Sequence, residues 1–487
     1  MLRKFLKQYQ AMPLQAKASV WFLLCSFAQK AVSAVSTPIF TRLLTEEQYG
    51  QYNVFVSWQS ILGVFITLYL CYGVYSAGLV KFSERRDEYI SAMQGLTLAL
   101  ILAWGGLFFL FRDRIAALTS LTPLQTLCMF SLLWTGSVYQ FWAAEQRVYY
   151  RYRKLVAVTL LATVVKPALE IAAVLHAGDD GKVTARILMA TLAELGLFSW
   201  MFGKHVRQCG KLASGFFWRY ALKFNIPLIP HYLSQNILTN SDRIMIERMV
   251  SADAAGIYSL AYSVSFIMNL FNVALTQTIS PWVYEKIKAR KERDIQIVTL
   301  SSSALIALAN LILILLAPEI VRFFAPPSYY EAVWTIPPVA MSVYFIYLYN
   351  LFSYYEFYYE KTSFIAAATV AAALTNLVLN YFCIRLFGYI AAGYTTLVCY
   401  MLYAAGHYWV MNRVAVEFLD GNKVLSLKPL LVLTSVFMAL GFAFCALYNH
   451  PAVRYAALLG LTLALFLLRK RLMSVVQGIL SARNRRV

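Results

Sequence analysis

The sequence predicts an all-α polytopic membrane protein of about fourteen transmembrane helices: two parallel six-helix repeats followed by two C-terminal helices. Three observations carry this. Sixty per cent of the 487 residues are hydrophobic and only 14% are charged, whereas a soluble domain carries roughly a quarter charged residues. The apolar residues come in blocks of about 20 or more, the length a helix needs to cross a ~30 Å hydrocarbon core at 1.5 Å per residue. The segments joining those blocks alternate between rich and poor in lysine and arginine.

In chain order, the spans fall near 18–44, 49–80, 90–111, 122–146, 155–177, 183–203, 222–248, 254–284, 295–317, 332–357, 362–386, 388–411, 429–448 and 452–468. Basic residues mark every second junction. Arg3, Lys4, Lys7 and Lys17 precede the first span; Lys81, Arg85 and Arg86 follow the second; Arg147, Arg151, Arg153 and Lys154 follow the fourth. Lys204, Arg207, Lys211, Arg219 and Lys223 follow the sixth, Lys286 to Arg293 the eighth, Lys361 the tenth, and Arg413, Lys423 and Lys428 the twelfth. The last span runs into a tail with Arg469, Lys470, Arg471, Arg483, Arg485 and Arg486. By the positive-inside rule this side, with both termini, is cytoplasmic. The net charge of +20 is therefore a topological signal, and a nucleic-acid role is not expected.

The seven cysteines lack the paired spacing of a disulfide framework or metal site. No GxxxxGK[ST], HExxH or CxxC motif occurs, and no loop is long enough for a nucleotidase. No enzyme activity, metal or cofactor is expected. The basic start of the chain precedes an apolar block with no clean small-residue cleavage site, so the first span reads as a retained anchor.

A repeat organises the chain. Thr41-Arg42-Leu43-Leu44-Thr45-Glu46-Glu47-Gln48-Tyr49-Gly50-Gln51-Tyr52 aligns without gaps on Glu247-Arg248-Met249-Val250-Ser251-Ala252-Asp253-Ala254-Ala255-Gly256-Ile257-Tyr258. The hydroxyl residue can cap the helix that follows, with Gln48 completing a capping box in the first copy. Upstream, Ser26, Lys30, Ser33, Thr37 and Thr41 share one helical face, and span seven matches it with Tyr232, Asn236, Thr239, Arg243 and Glu247. Six spans separate the copies, so both halves run in the same direction. The expected division is 1–17, a cytoplasmic N-terminus; 18–203, an N-lobe; 204–221, a linker; 222–411, a C-lobe; 412–428, a second linker; 429–468, spans thirteen and fourteen; and 469–487, a basic cytoplasmic tail.

The stripes read either as the lining of a hydrated cavity between lobes or as helix-packing hydroxyls worth roughly 0.6 kcal/mol per bond. Lys30 and Arg243 stand apart, because an ionised side chain at mid-bilayer costs at least ~2.5 kcal/mol. Lys30 is a candidate anion contact; its structural alternative is a cross-helix pair with Glu194 in span six. Lys166 and Glu170, four residues apart around Pro167, read as a same-helix ion pair or, through Glu170, as an ion relay. Pro227 and Pro230 are expected to unwind the start of span seven. Asp242 points off the stripe and is a candidate anchor for a loop. Span ten is rich in tyrosine, and Tyr347 is its cavity candidate beside Asn350.

The string Thr37-Pro38-Ile39-Phe40-Thr41-Arg42-Leu43-Leu44-Thr45-Glu46-Glu47-Gln48-Tyr49-Gly50 resembles the first-helix signature of Wzx-type polysaccharide flippases. Asn240-Ser241-Asp242-Arg243-Ile244-Met245-Ile246 with Ala255-Gly256-Ile257-Tyr258-Ser259-Leu260-Ala261-Tyr262 resembles their seventh-helix signature. These flippases form the polysaccharide-transporter branch of the multidrug/oligosaccharidyl-lipid/polysaccharide exporter superfamily. The resemblance implies a flippase in the bacterial inner membrane that moves an undecaprenyl-diphosphate-linked oligosaccharide, of O-antigen, capsule or another exopolysaccharide, by alternating access. On that model Lys30, Arg42 and Arg243 are candidate contacts for diphosphate or acidic sugar, with Ser33, Thr37, Asn236, Thr239 and Tyr347 as cavity candidates from the stripes and span ten. Lys166, Glu170 and Glu194 are candidate coupling or structural residues by their own placement, and the resemblance carries over no coupling residue. H+ or Na+ is the candidate coupling ion. Membrane lipids, a polysaccharide polymerase and chain-length proteins are the candidate partners. The competing reading is a cation-coupled drug or metabolite antiporter of the same superfamily.

Overall fold

The computed structural model describes residues 12–418, 424–463 and 466. The expected N-terminal segment up to residue 11, Lys423 and the basic tail lie outside the described residues, as does the end of span fourteen. What is described is helical, and the chain divides into two compact units between Asn236 and Ile237.

In the first unit α1 spans Leu14–Leu43, with Pro38 inside its last turns. Its serines and threonines satisfy themselves on their own backbone: Ser26 Oγ donates to the Phe22 carbonyl at 3.0 Å and Thr37 Oγ1 to that of Ser33 at 2.9 Å. This removes the cost of carrying a hydroxyl in an apolar medium. The expected capping box forms: Gln48 N donates to Thr45 Oγ1 at 3.2 Å and Thr45 N to Gln48 Oε1 at 3.1 Å. It starts α2, Glu46–Thr67.

Span two, expected as one helix over 49–80, is broken. Leu68 and Tyr69 take φ of 49° and 50°, Gly73 takes 63°, and the chain resumes as α3, Val74–Lys81. There follow α4, Arg86–Leu110; α5, Arg112–Thr119; and α6, Pro123–Val148, which opens on a second capping box, Thr122 with Gln125, and carries Pro123 in its first turn. Then come α7, Tyr152–His176, which accommodates Pro167, and α8, Lys182–Cys209. The proline pair breaks span seven as expected, into α9, Gly215–Asn225, a 3-10 turn at Ile226–Leu228, and α10, Ile229–Met249.

Close approach in this unit depends on small residues. A Cβ on Gly95 of α4 would collide with the Leu212 carbonyl, and one on Gly78 of α3 with the Tyr89 ring. Tyr75, Tyr89, Phe141 and Phe217 fill the core that these approaches create.

The second unit continues from Ile237 along α10 into α11, Ala252–Phe266, capped by Ser251, and α12, Asn269–Lys288. Next are α13, Glu292–Leu315; the short α14, Ala317–Phe324; α15, Ala332–Tyr358; α16, Thr362–Phe387; α17, Ala391–Phe418; α18, Leu427–Ala446; and α19, Pro451–Leu463. α15 is the axis of this unit: 89% of its most apolar stretch is buried, against 11% for α1. Its tyrosines therefore serve packing. Tyr347, expected on a cavity, is fully buried.

Among the described residues nine spans are long and apolar enough to cross a membrane, ten if the pair α5 and α6, bent by 86°, counts as one. The other expected spans are helical as well. Two of them are broken (α2 with α3, α9 with α10), α17 is diluted by tyrosine, threonine and glycine, and α19 is described only over Pro451–Leu463.

Candidate functional site

Four charged side chains inside the first unit are paired across helices. Lys166 of α7 reaches Glu194 of α8 at 2.6 Å, and Thr135 of α6 donates to the other Glu194 oxygen at 2.8 Å. Glu170, one turn beyond Lys166, accepts from Arg186 Nε of α8 at 3.1 Å. The Arg186 guanidinium lies 3.4 Å from the ring centres of both Phe40 of α1 and Tyr52 of α2. The same-helix pair expected for Lys166 and Glu170 is thus replaced by two rungs between α7 and α8. Two facing helices each supply an acid and a base, and pairing between helices buries the Arg186–Glu170 rung and half-buries the Lys166–Glu194 rung.

This also settles Glu194. With one oxygen on Lys166 and the other on Thr135, it is not the partner of Lys30. Lys30 is exposed on α1, and the structure records no ion pair or hydrogen bond for it among the described residues. Ser33, one turn on, is exposed and Thr37 half-buried. Arg42 donates to the Pro38 carbonyl at 2.9 Å.

The second unit carries a matching node on α10, α11, α16 and α17. Buried Asp242 accepts from Tyr258 at 2.5 Å, Asn380 at 2.6 Å and Thr396 at 2.9 Å. It anchors three helices rather than a loop. Asn380 in turn accepts from Thr395, and Ser241 reaches Asn376 at 3.4 Å. Arg243 points the other way, donating to the Thr239 carbonyl at 2.8 Å and lying 4.4 Å from the Tyr262 ring centre. Tyr52 and Tyr258 hold the same place in the repeated motif. Each joins a buried polar node on the first, second, fifth and sixth spans of its own unit.

A second recurrence was not legible as such. His205 of α8 meets Glu145 of α6 at 3.2 Å and Gln94 of α4 at 2.6 Å; His407 of α17 meets Glu356 of α15 at 2.7 Å. Both pairs join the fourth and sixth spans of a unit and both are buried or nearly so. Nothing in the local sequence ties either histidine to its acid.

The break in span two forms the remaining cluster. Asn225, fully buried at the end of α9, donates to the carbonyls of Leu68 at 2.9 Å and Tyr69 at 3.0 Å, groups the helix end leaves open. The Tyr69 ring stacks on Tyr72 at 4.6 Å and lies 5.3 Å from Tyr232. The Asn236 amide donates to the Tyr69 hydroxyl at 3.2 Å and to the Tyr232 carbonyl at 2.9 Å. Asn236 is thereby placed beside Tyr69 and Tyr72, which the sequence did not single out; the only local sign of the break was Gly73.

Comparison with known proteins places these features. The family model described as "Polysaccharide biosynthesis protein" matches residues 16–287, more than half of the chain. The "Lsg locus putative protein 1" of Haemophilus influenzae is 27% identical over 162 residues, which are 32% of this chain and 39% of that protein. The chain thus spans well under half the length of that relative. An "Uncharacterized membrane protein" of the same organism is 23% identical over 384 residues, 74% of this chain and 88% of that one. Among solved structures the fold matches the lipid II flippase MurJ in an inward closed conformation, with TM-score 0.65 and 14% identity over 93% of this chain and 99% of that one. It also matches an inward-facing multidrug resistance MATE family transporter of the MOP superfamily, with TM-score 0.58 and 14% identity over 80% and 95%. At these identities the structural matches speak for the fold, an all-α transporter fold of the MurJ and MATE type. The family model goes further, and the chain belongs to the polysaccharide biosynthesis protein family.

Proposed function

We propose that the chain is a flippase that carries an undecaprenyl-diphosphate-linked oligosaccharide from the cytoplasmic to the periplasmic leaflet of a bacterial inner membrane, by alternating access. Family membership supports the class. The single observation that carries the substrate is Lys30, an exposed cation within a membrane span with no recorded partner, while Lys166, Arg186 and Arg243 are each engaged.

The energetics support an anionic headgroup. A diphosphate bears about two negative charges, and outward movement from a negative cytoplasm is favourable by ~2.3 kcal/mol per charge per 100 mV. The barrier is desolvation, which a cation and hydroxyl groups on α1 reduce while the polyprenyl tail stays in lipid. On this reading Ser33, Thr37 and Arg42 accompany Lys30, both termini are cytoplasmic, and units 18–203 and 222–411 act as the moving lobes.

A cation-coupled drug antiporter, favoured by the MATE-like fold, would need an acidic group open to a cationic ligand. Glu170, Glu194 and Asp242 are instead each held by two or more donors or by a buried guanidinium. Cells lacking the chain are expected to lose surface polysaccharide and keep their resistance to cationic drugs. Unchanged polysaccharide with increased drug sensitivity would select the antiporter.

A further inference from the structure

The break in span two carries an aromatic surface that an anion contact at Lys30 does not use. Tyr72 is 45% exposed, and Tyr69 and Tyr232, which line up with it, are half-buried. Unwound backbone at membrane depth is tolerated where it is covered by protein or lines a wetted space. Here Asn225 covers the two carbonyls, and Tyr72, stacked on Tyr69 by one face, is left 45% exposed. Gly73 is required by its φ of 63°, a left-handed conformation that favours glycine. The chain therefore holds Tyr72 at a fixed place against its neighbours.

The polar groups that touch the rings are neutral. The Asn236 carboxamide edges Tyr69; the buried Asn225 carboxamide oxygen and the His231 Nδ1 have no hydrogen-bond partner among the described residues. Flat aromatic faces whose negative quadrupole attracts polarised C–H groups, edged by amides and hydroxyls that both donate and accept, match a pyranose ring. The neutral groups that touch the rings do not pair with a diphosphate as a cation would, and a lipid chain has no use for the amides.

We propose that Tyr72, with Tyr69, Tyr232 and Asn236, is a saccharide-stacking subsite that holds a sugar of the lipid-linked glycan. The assignment rests on the flippase reading and adds to it the part of the molecule that reads the glycan. Tyr72 supplies the open face, Tyr69 backs it, and the break fixes their angle.

The test uses full-length protein in nanodiscs and two probes: bare undecaprenyl diphosphate, and the lipid-linked glycan extracted from cells lacking the chain, where an untransported unit accumulates. Wild type is expected to bind the glycan-bearing lipid about tenfold more tightly than the bare one. Tyr72→Leu, which keeps apolar volume but loses the flat face, brings that ratio close to one and leaves affinity for the bare lipid unchanged. Tyr72→Trp preserves the ratio. A ratio that survives Tyr72→Leu, or is lost equally in Tyr72→Trp, overturns the subsite while leaving the flippase reading intact. Absence of any accumulated lipid-linked glycan overturns both.

Discussion

Arg186→Ala is expected to destabilise the first unit by about 3–5 kcal/mol, the range for removing one partner of a buried ion pair. Glu170 is 4% exposed and its recorded partner is Arg186. Truncation would leave a carboxylate in an apolar interior and open the space between Phe40 and Tyr52, so charge and packing are lost together. The chemistry also predicts how the loss is repaired. Glu170→Gln in the Arg186→Ala background removes the orphaned charge and should recover a large part of the stability. Thermal unfolding of the purified protein in detergent checks both. An Arg186→Ala variant as stable as wild type would show that the cross-helix rung does not hold α7 to α8.

Lys30→Ala should act in the opposite manner, sparing the fold and removing the activity. Its side chain is exposed and touches no recorded partner, so truncation leaves nothing orphaned and stability should shift by no more than the ±0.5 kcal/mol usual for surface positions. A charge-assisted hydrogen bond to a phosphate oxygen is worth about 1.5–3 kcal/mol, so glycan export should fall roughly 10- to 100-fold. Lys30→Arg keeps the charge and should keep most of the export. Surface polysaccharide, normalised to the amount of protein in the membrane, is the readout. Full export by Lys30→Ala would remove the anion contact from the account.

The two substitutions divide along what the sequence could and could not say. Span positions were legible because twenty apolar residues have one physical use in a bilayer, and the capping box at Thr45 and Gln48 was legible because its partners are three residues apart. The proline-driven break at Ile226–Leu228 was legible for the same reason: a missing N–H acts locally.

Partner choice was not legible. Lys166 has Glu170 four residues away and yet pairs with Glu194, because the rotation of α7 against α8 decides which acid comes near. The same holds for Asp242, whose donors come from Tyr258, Asn380 and Thr396, and for the two histidine–glutamate pairs. Tyrosine content misled at Tyr347, where a crowded helix turned out to be the buried axis of its unit, while exposed Tyr72 and half-buried Tyr69 lie in a break that no proline marks.

The central claim is that this chain moves a lipid-linked glycan across a bilayer, and reconstitution tests it directly. Purified protein would be placed in liposomes carrying the glycan-bearing lipid in both leaflets, and the glycan labelled with a reagent that cannot cross the membrane. The account predicts that protein-containing vesicles expose the inner-leaflet pool to the label over time, faster when the membrane potential draws anions outward and slowly with Lys30→Ala. An inner-leaflet pool as protected as in protein-free liposomes, at any potential, would contradict it.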